Sequence, residues 1–192
     1  MKLQELSYVP EHELPVASTL FRIQRARSRP GTQAIGPLRV SPPGTLAGRF
    51  DLAEQIVGYF AEGPETAIYE TLARREAVDL SLADIGRRCL LALQTRQTMR
   101  LLDLRPHASF LPVLQSLRVG VTQRIAADAS RLGFDGLVYR SAQHYGHDCY
   151  ALFQPVLGHL KLLWRKPLLD PSGGPHHALL TALHGSQVPL VP

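Results

Sequence analysis

The chain has 192 residues, 45% of them hydrophobic and 7% aromatic, which suits one folded domain with a sizeable core. Its 21 lysines and arginines against 16 acidic residues give a formal charge of +5. Since Lys2, Lys161 and Lys166 are the only lysines, that excess is arginine, whose planar fork favours phosphate and carboxylate ligands. No apolar run reaches the roughly 18 residues of a membrane span. Residues 1–18 carry Glu5, Glu11 and Glu13 in place of a secretion leader, and Cys89 and Cys149 stand far apart in apolar surroundings. A cytoplasmic protein with reduced, buried thiols is expected.

In chain order, TLFRIQRARS from Thr19 reads as a strand with Arg25, Arg27 and Arg29 on one face and Arg22 on the other. Residues 30–48 are rich in proline and glycine and predict a long irregular segment, ending in Gly48, Arg49, Phe50 and Asp51. IVGYFAE, Ile56 to Glu62, predicts a strand, and Pro64 and Glu65 open a helix. On that helix Glu65, Ile68 and Leu72 share one side, and Glu70 lies opposite with Thr66 and Arg74. From spacing alone Glu70 is either a solvent-facing partner of Arg74 or a residue with a task.

Cys89 to Leu93 and Met99 to Leu104 predict two strands, the first buried on both faces. Val121 to Leu132 predicts a helix with Val121, Ile125, Ala129 and Leu132 on its apolar face and Gly133 as left-handed cap. In FDGLVYRSAQHYGHDCYALF, Phe134 to Phe153, two apolar strands flank a polar loop with Ser141, His144 and His147. Residues 160–166 predict the last strand, and a short helix from Pro175 to His184 closed by Gly185 lies in a tail. The expected organisation is one domain over 1–166 with a peripheral segment at 167–192.

Several chemistries are disfavoured. His144, His147, Asp148 and Cys149 do not read as a metal site, because successive strand residues point to opposite faces and no second ligand pair stands at a usual spacing. Neither a Walker loop nor GxGxxG is present. What stays is a set of polar residues at the ends of predicted elements: Arg22, Arg49, Tyr59, Glu70 and Ser141.

These residues, with LFRI around Arg22, GRF around Arg49, VGYFAEGPETAIYE carrying Tyr59 and Glu70, and DGLVYRS before ALF, resemble the RES family over about residues 18–155. Many members read GGRWN where this chain has Ala47, Gly48, Arg49, Phe50 and Asp51. The resemblance implies a toxin of a bacterial toxin-antitoxin pair that consumes NAD without a metal and has a fold similar to the ADP-ribosyltransferases. It also implies an antitoxin protein over the active site. The implied roles are Glu70 at the oxocarbenium-like ribose, Arg22 and then Arg49 on the pyrophosphate, Tyr59 against nicotinamide, and Ser141 on the ribose or the amide.

The expected fold is mixed α/β, a strongly bent sheet of about six strands with helices outside. The expected activity is transfer of ADP-ribose, with a protein target favoured by the long 30–48 segment and hydrolysis or phosphorolysis of NAD as the alternative. A different class, a nucleic-acid binding module on Arg22 to Arg29, predicts salt-sensitive binding but lacks interleaved aromatics or a recognition helix.

Overall fold

The computed structural model describes residues 8–115 and 119–192; residues 1–7, part of the stretch read for a leader, and 116–118 lie outside it. Strands β1 (Glu11–Leu14) and β2 (Thr19–Arg25) come first, followed by a hairpin of β3 (Gln33–Ile35) and β4 (Leu38–Val40). β5 (Val57–Ala61) runs into helix α1 (Pro64–Thr71), where Pro64 sits in the first turn and its missing N–H costs no helical bond. β6 (Leu80–Ser81) and the single turn α2 (Leu82–Ile85) lead to β7 (Arg88–Thr95) and β8 (Met99–Asp103).

Helix α3 (Val119–Arg131) buries Ile125 and Ala129 at the expected spacing. It ends because Gly133 takes φ 78°, with Gly133 N–H donating to Ser130 and Phe134 N–H to Ala129. β9 (Gly136–Arg140) and β10 (Asp148–Phe153) form the expected antiparallel hairpin. The single turn α4 (Gln154–Leu157), β11 (Leu160–Pro167), α5 (His177–Ser186) and β12 (Leu190–Val191) complete the chain.

Eight strands form one curled sheet in the order β1-β8-β9-β10-β5-β2-β7-β11. All neighbours are antiparallel except β8 and β9. Alternation along the strands divides the core in two. Leu90, Leu137, Tyr139, Cys149, Ala151 and Phe153 face one cluster with residues of α1, α3 and α5, while Leu91, Leu93, Val138, Tyr150 and Leu152 face the other. That two-sided burial is why these strands read as continuous apolar runs. Between β2 and β5 the ladder is thin, with only Phe21 opposite Ala61 in register.

Several expectations are corrected. The sheet has eight strands and not about six: the strands expected along the chain, β11 included, all join it, and β1, which the sequence did not announce, adds an edge by pairing with β8. Segment 30–48 is not wholly irregular: it contains the β3–β4 hairpin, pinned to β2 where Gln24 donates to Pro37 O and accepts from Arg39 N–H. β2 ends at Arg25, so Arg27 and Arg29 lie beyond it. Leu132 is 59% exposed. Helix α5 runs through Gly185, and its left-handed cap is Gln187 at φ 57°. No helix among the described residues is long and apolar enough to cross a membrane.

The segment after Lys166 is not peripheral. Leu168, Ala178, Leu179 and Ala182 are buried in the cluster that holds Ile68 and Leu72 of α1, and β12 pairs in parallel with β6. Leu179→Ala should therefore lower the free energy of unfolding by about 2–5 kcal/mol, the usual cost of emptying a buried leucine site. Urea titration measures this, and a loss below about 0.5 kcal/mol would return the segment to the surface.

Candidate active site

The cleft opens on the helical face of the sheet where β2 and β5 meet thinly. Phe21 and Arg22 line one wall and Tyr59, Phe60 and Ala61 another, with Ala67 and Glu70 of α1 and Gly48 and Arg49 of the preceding loop completing it. Its cavity volume is about 280 Å³, and a second cavity of about 270 Å³ shares Arg22, Ala47, Gly48 and Tyr59 with it.

Arg22 projects from β2 and donates through Nη1 to Tyr59 O at 2.7 Å and through Nη2 to Arg39 O at 3.2 Å. Its Nε is buried with no partner among the described residues. Burial pushes its pKa down to about 10, which leaves it cationic at neutral pH.

Arg49 is held from two sides. Its guanidinium lies 4.8 Å over the Tyr139 ring and donates to Leu114 O at 3.1 Å, while its carbonyl accepts from the Thr122 hydroxyl. Its Nη2 is also buried without a partner among the described residues. A buried N–H left unpaired is costly, so two of them on arginines lining one cleft are donors without an acceptor.

The loop around Arg49 is built by Asp51. Asp51 accepts from Gly48 N–H at 2.7 Å and from the Tyr59 hydroxyl at 2.8 Å, and that hydroxyl accepts from Phe50 N–H at 2.9 Å. Gln123 of α3 donates to Leu46 O and Gly48 O, closing the loop from the other side. A Cβ on Gly48 would collide with the Tyr59 hydroxyl and with Asp51. Burial and the neighbouring Asp51 raise the phenol of Tyr59 far above its ordinary value, so it stays neutral.

Glu70 is not the surface partner of Arg74, which pairs with Glu76 at 3.3 Å. Its Oε1 accepts from the Ser141 hydroxyl at 2.5 Å, from Ala142 N–H at 3.0 Å and from Gln143 N–H at 3.3 Å. These bonds all fall on one oxygen. The loop between β9 and β10 thus fixes the carboxylate through Oε1, while Oε2 has no partner among the described residues.

Ser141 is 4% exposed, and its hydroxyl also accepts from Gln143 N–H at 3.1 Å and His144 N–H at 2.8 Å. The structure therefore joins Ser141 to Glu70 and sets Arg22, Arg49, Tyr59 and Glu70 around one cleft. Residues that sequence reasoning missed are Asp51, Tyr139 and Cys149. Strand parity puts Tyr139 and Cys149 on one face, and their burial raises both the phenol and the thiol, so neither ionises readily. Arg25, Arg27, Arg29 and Arg87 line a separate groove.

No curated protein matches the sequence. Among solved structures, a chain of the M. tuberculosis MbcT-MbcA toxin-antitoxin complex superposes with a TM-score of 0.55, covering 80% of this chain and 85% of that one at 14% identity. That likeness is one of fold. The profile of the RES domain matches residues 19–169, a span that includes Arg22, Arg49, Tyr59, Glu70 and Ser141, and the chain belongs to the RES domain family.

Proposed function

We propose that this protein is the toxin of a toxin-antitoxin pair and cleaves the bond between nicotinamide and ribose in NAD. The observation that carries the reading is a carboxylate held through one oxygen in a cleft with two arginines, each with an unpartnered buried N–H. Those arginine donors suit the pyrophosphate of a dinucleotide. The adjoining cavities, about 280 and 270 Å³, give such an elongated ligand two compartments with Arg22 in the shared wall.

In the reaction, the C1′–N bond breaks and its electron pair leaves with nicotinamide, which departs neutral from a cation. Positive charge then develops over C1′ and the ring oxygen. Glu70 Oε2 stabilises that charge, and because Oε1 is already fixed, the carboxylate does not reorganise as the charge grows. Tyr59 walls the nicotinamide side, and Ser141 acts through Glu70. No covalent enzyme intermediate is needed.

The acceptor that reaches C1′ decides the product. A protein side chain gives ADP-ribosylation, which is the reading adopted, and water or phosphate gives hydrolysis or phosphorolysis. The antitoxin partner is supported by the toxin-antitoxin complex in which the similar fold occurs. NAD labelled in the adenylate part, incubated with purified toxin, phosphate and cell lysate, should release nicotinamide and place the label on one of the three acceptors. Intact NAD with every acceptor present would overturn the proposal.

Arg22→Lys should lower nicotinamide release by at least about tenfold, because an ammonium keeps the charge and loses the fork. Arg27→Ala, beyond the end of β2, should leave the rate unchanged. Equal losses at both positions in folded protein would point to a diffuse basic surface.

A further inference from the structure

Helix α5 lies wholly beyond residues 19–169, yet a continuous column of contacts joins it to Glu70. The column starts at Gly185. A Cβ there would collide with the hydroxyl of Tyr69, although the same Cβ would stand 3.5 Å from Tyr69 Cζ, an ordinary contact. Glycine is a poor helix former, so a glycine inside α5 and against a tyrosine hydroxyl has a steric reason.

From Tyr69 the column continues through stacked rings. Tyr69 and His144 stack at 4.3 Å with an interplanar angle of 18°, and His144 and His147 stack at 3.8 Å and 17°. His144 Nδ1 lies 2.9 Å from Thr66 Oγ1, and His147 Nδ1 lies 2.7 Å from Glu62 Oε1. The backbone N–H of His144 then donates to Ser141 Oγ, whose own hydrogen goes to Glu70. The loop that orients the carboxylate is thus fastened to α1 by rings as well as by backbone.

We propose that α5 buttresses the reactive carboxylate: Gly185 seats Tyr69, Tyr69 seats His144, and His144 holds the 141–147 loop so that its donors aim Glu70. Tyr69 and His144 are positioning residues, and the inference rests on Glu70 acting at the ribose. Pushing the Tyr69 ring away from Gly185 would tilt His144, shift the Ser141 loop and move Oε2.

The test uses the full chain and reads nicotinamide release from NAD with phosphate and lysate present, together with a melting curve. Gly185→Ala should lower kcat by about tenfold or more while changing KM for NAD by less than about twofold. Its melting temperature should stay close to that of the unmodified chain, since the better helix propensity of alanine offsets the cost of displacing the Tyr69 hydroxyl. A role confined to stability predicts the reverse: a lower melting temperature and an unchanged kcat.

Combining Gly185→Ala with Tyr69→Phe removes the colliding hydroxyl and keeps the ring, and should restore kcat to within about twofold of the unmodified value. An unchanged kcat in Gly185→Ala, or a double variant as slow as the single one, would overturn the inference. If Gly185→Ala folds poorly, the double variant must restore both melting and kcat, and failure to do so is equally decisive. Glu70→Ala run beside them separates the two levels. Loss of turnover in Glu70→Ala with none in Gly185→Ala would sink the buttress alone, and full turnover in Glu70→Ala would sink the reading of the carboxylate and the buttress with it.

Discussion

Where β2 meets β5 the ladder supplies a single register, and the guanidinium of Arg22 takes over pairing that backbone amides would otherwise make. By donating to Tyr59 O on one side and Arg39 O on the other, it ties together β2, β5 and the β3–β4 hairpin. A charge in that position is costly unless its donors are used, and the two carbonyls leave Nε unused. The same residue that ties these strands together therefore leaves an unmet donor in the cleft. Fold and cleft share one side chain.

A second constraint acts from across the cleft. Ser141, Ala142 and Gln143 converge on Oε1 of Glu70, so helix α1 and the β9–β10 loop share a carboxylate. Behind that loop lies a network on the sheet side. Arg105 bonds both Asp103 and Asp148, at 2.6 and 2.7 Å, and Arg140 bonds Asp148 at 2.6 Å, which fixes the roots of the hairpin from which the loop projects. The loop is thus anchored by charges at its base and by stacked rings at its side. Tyr145 at its tip is exposed.

Much of this was legible in the chain. Pro64 and Glu65 placed the start of α1, Gly133 placed the end of α3, and two apolar runs flanking a polar loop gave the β9–β10 hairpin, because each signal is local. Helix spacing marked Glu70 only as a residue off the core face, and its expected role came from the family resemblance. What it touches depends on a loop some seventy positions later, which spacing on a helix does not encode. The role of Ser141 is likewise set by its neighbour. Tyr139 and Cys149 share a face by parity, but which face carries the cleft follows from how β2 and β5 come together. The tail was misread for a related reason: Leu168, Leu179 and Ala182 are too few and too widely spaced to announce a core, and become one only against Ile68 and Leu72. Gly185 looked like a cap, and its neighbour Tyr69 explains it better.

In the proposed reaction Glu70 joins α1 to the loop through Oε1 and works as a charge in the transition state through Oε2. The most direct test is the single-turnover rate of nicotinamide release by Glu70→Gln, measured with NAD affinity and melting on the same preparation. The amide can still accept from Ser141, Ala142 and Gln143, so folding and NAD binding should stay near those of the unmodified chain. The rate should fall by about 100-fold to 1000-fold, the effect of losing one preorganised electrostatic contact. An unaltered rate with Glu70→Gln would contradict the account.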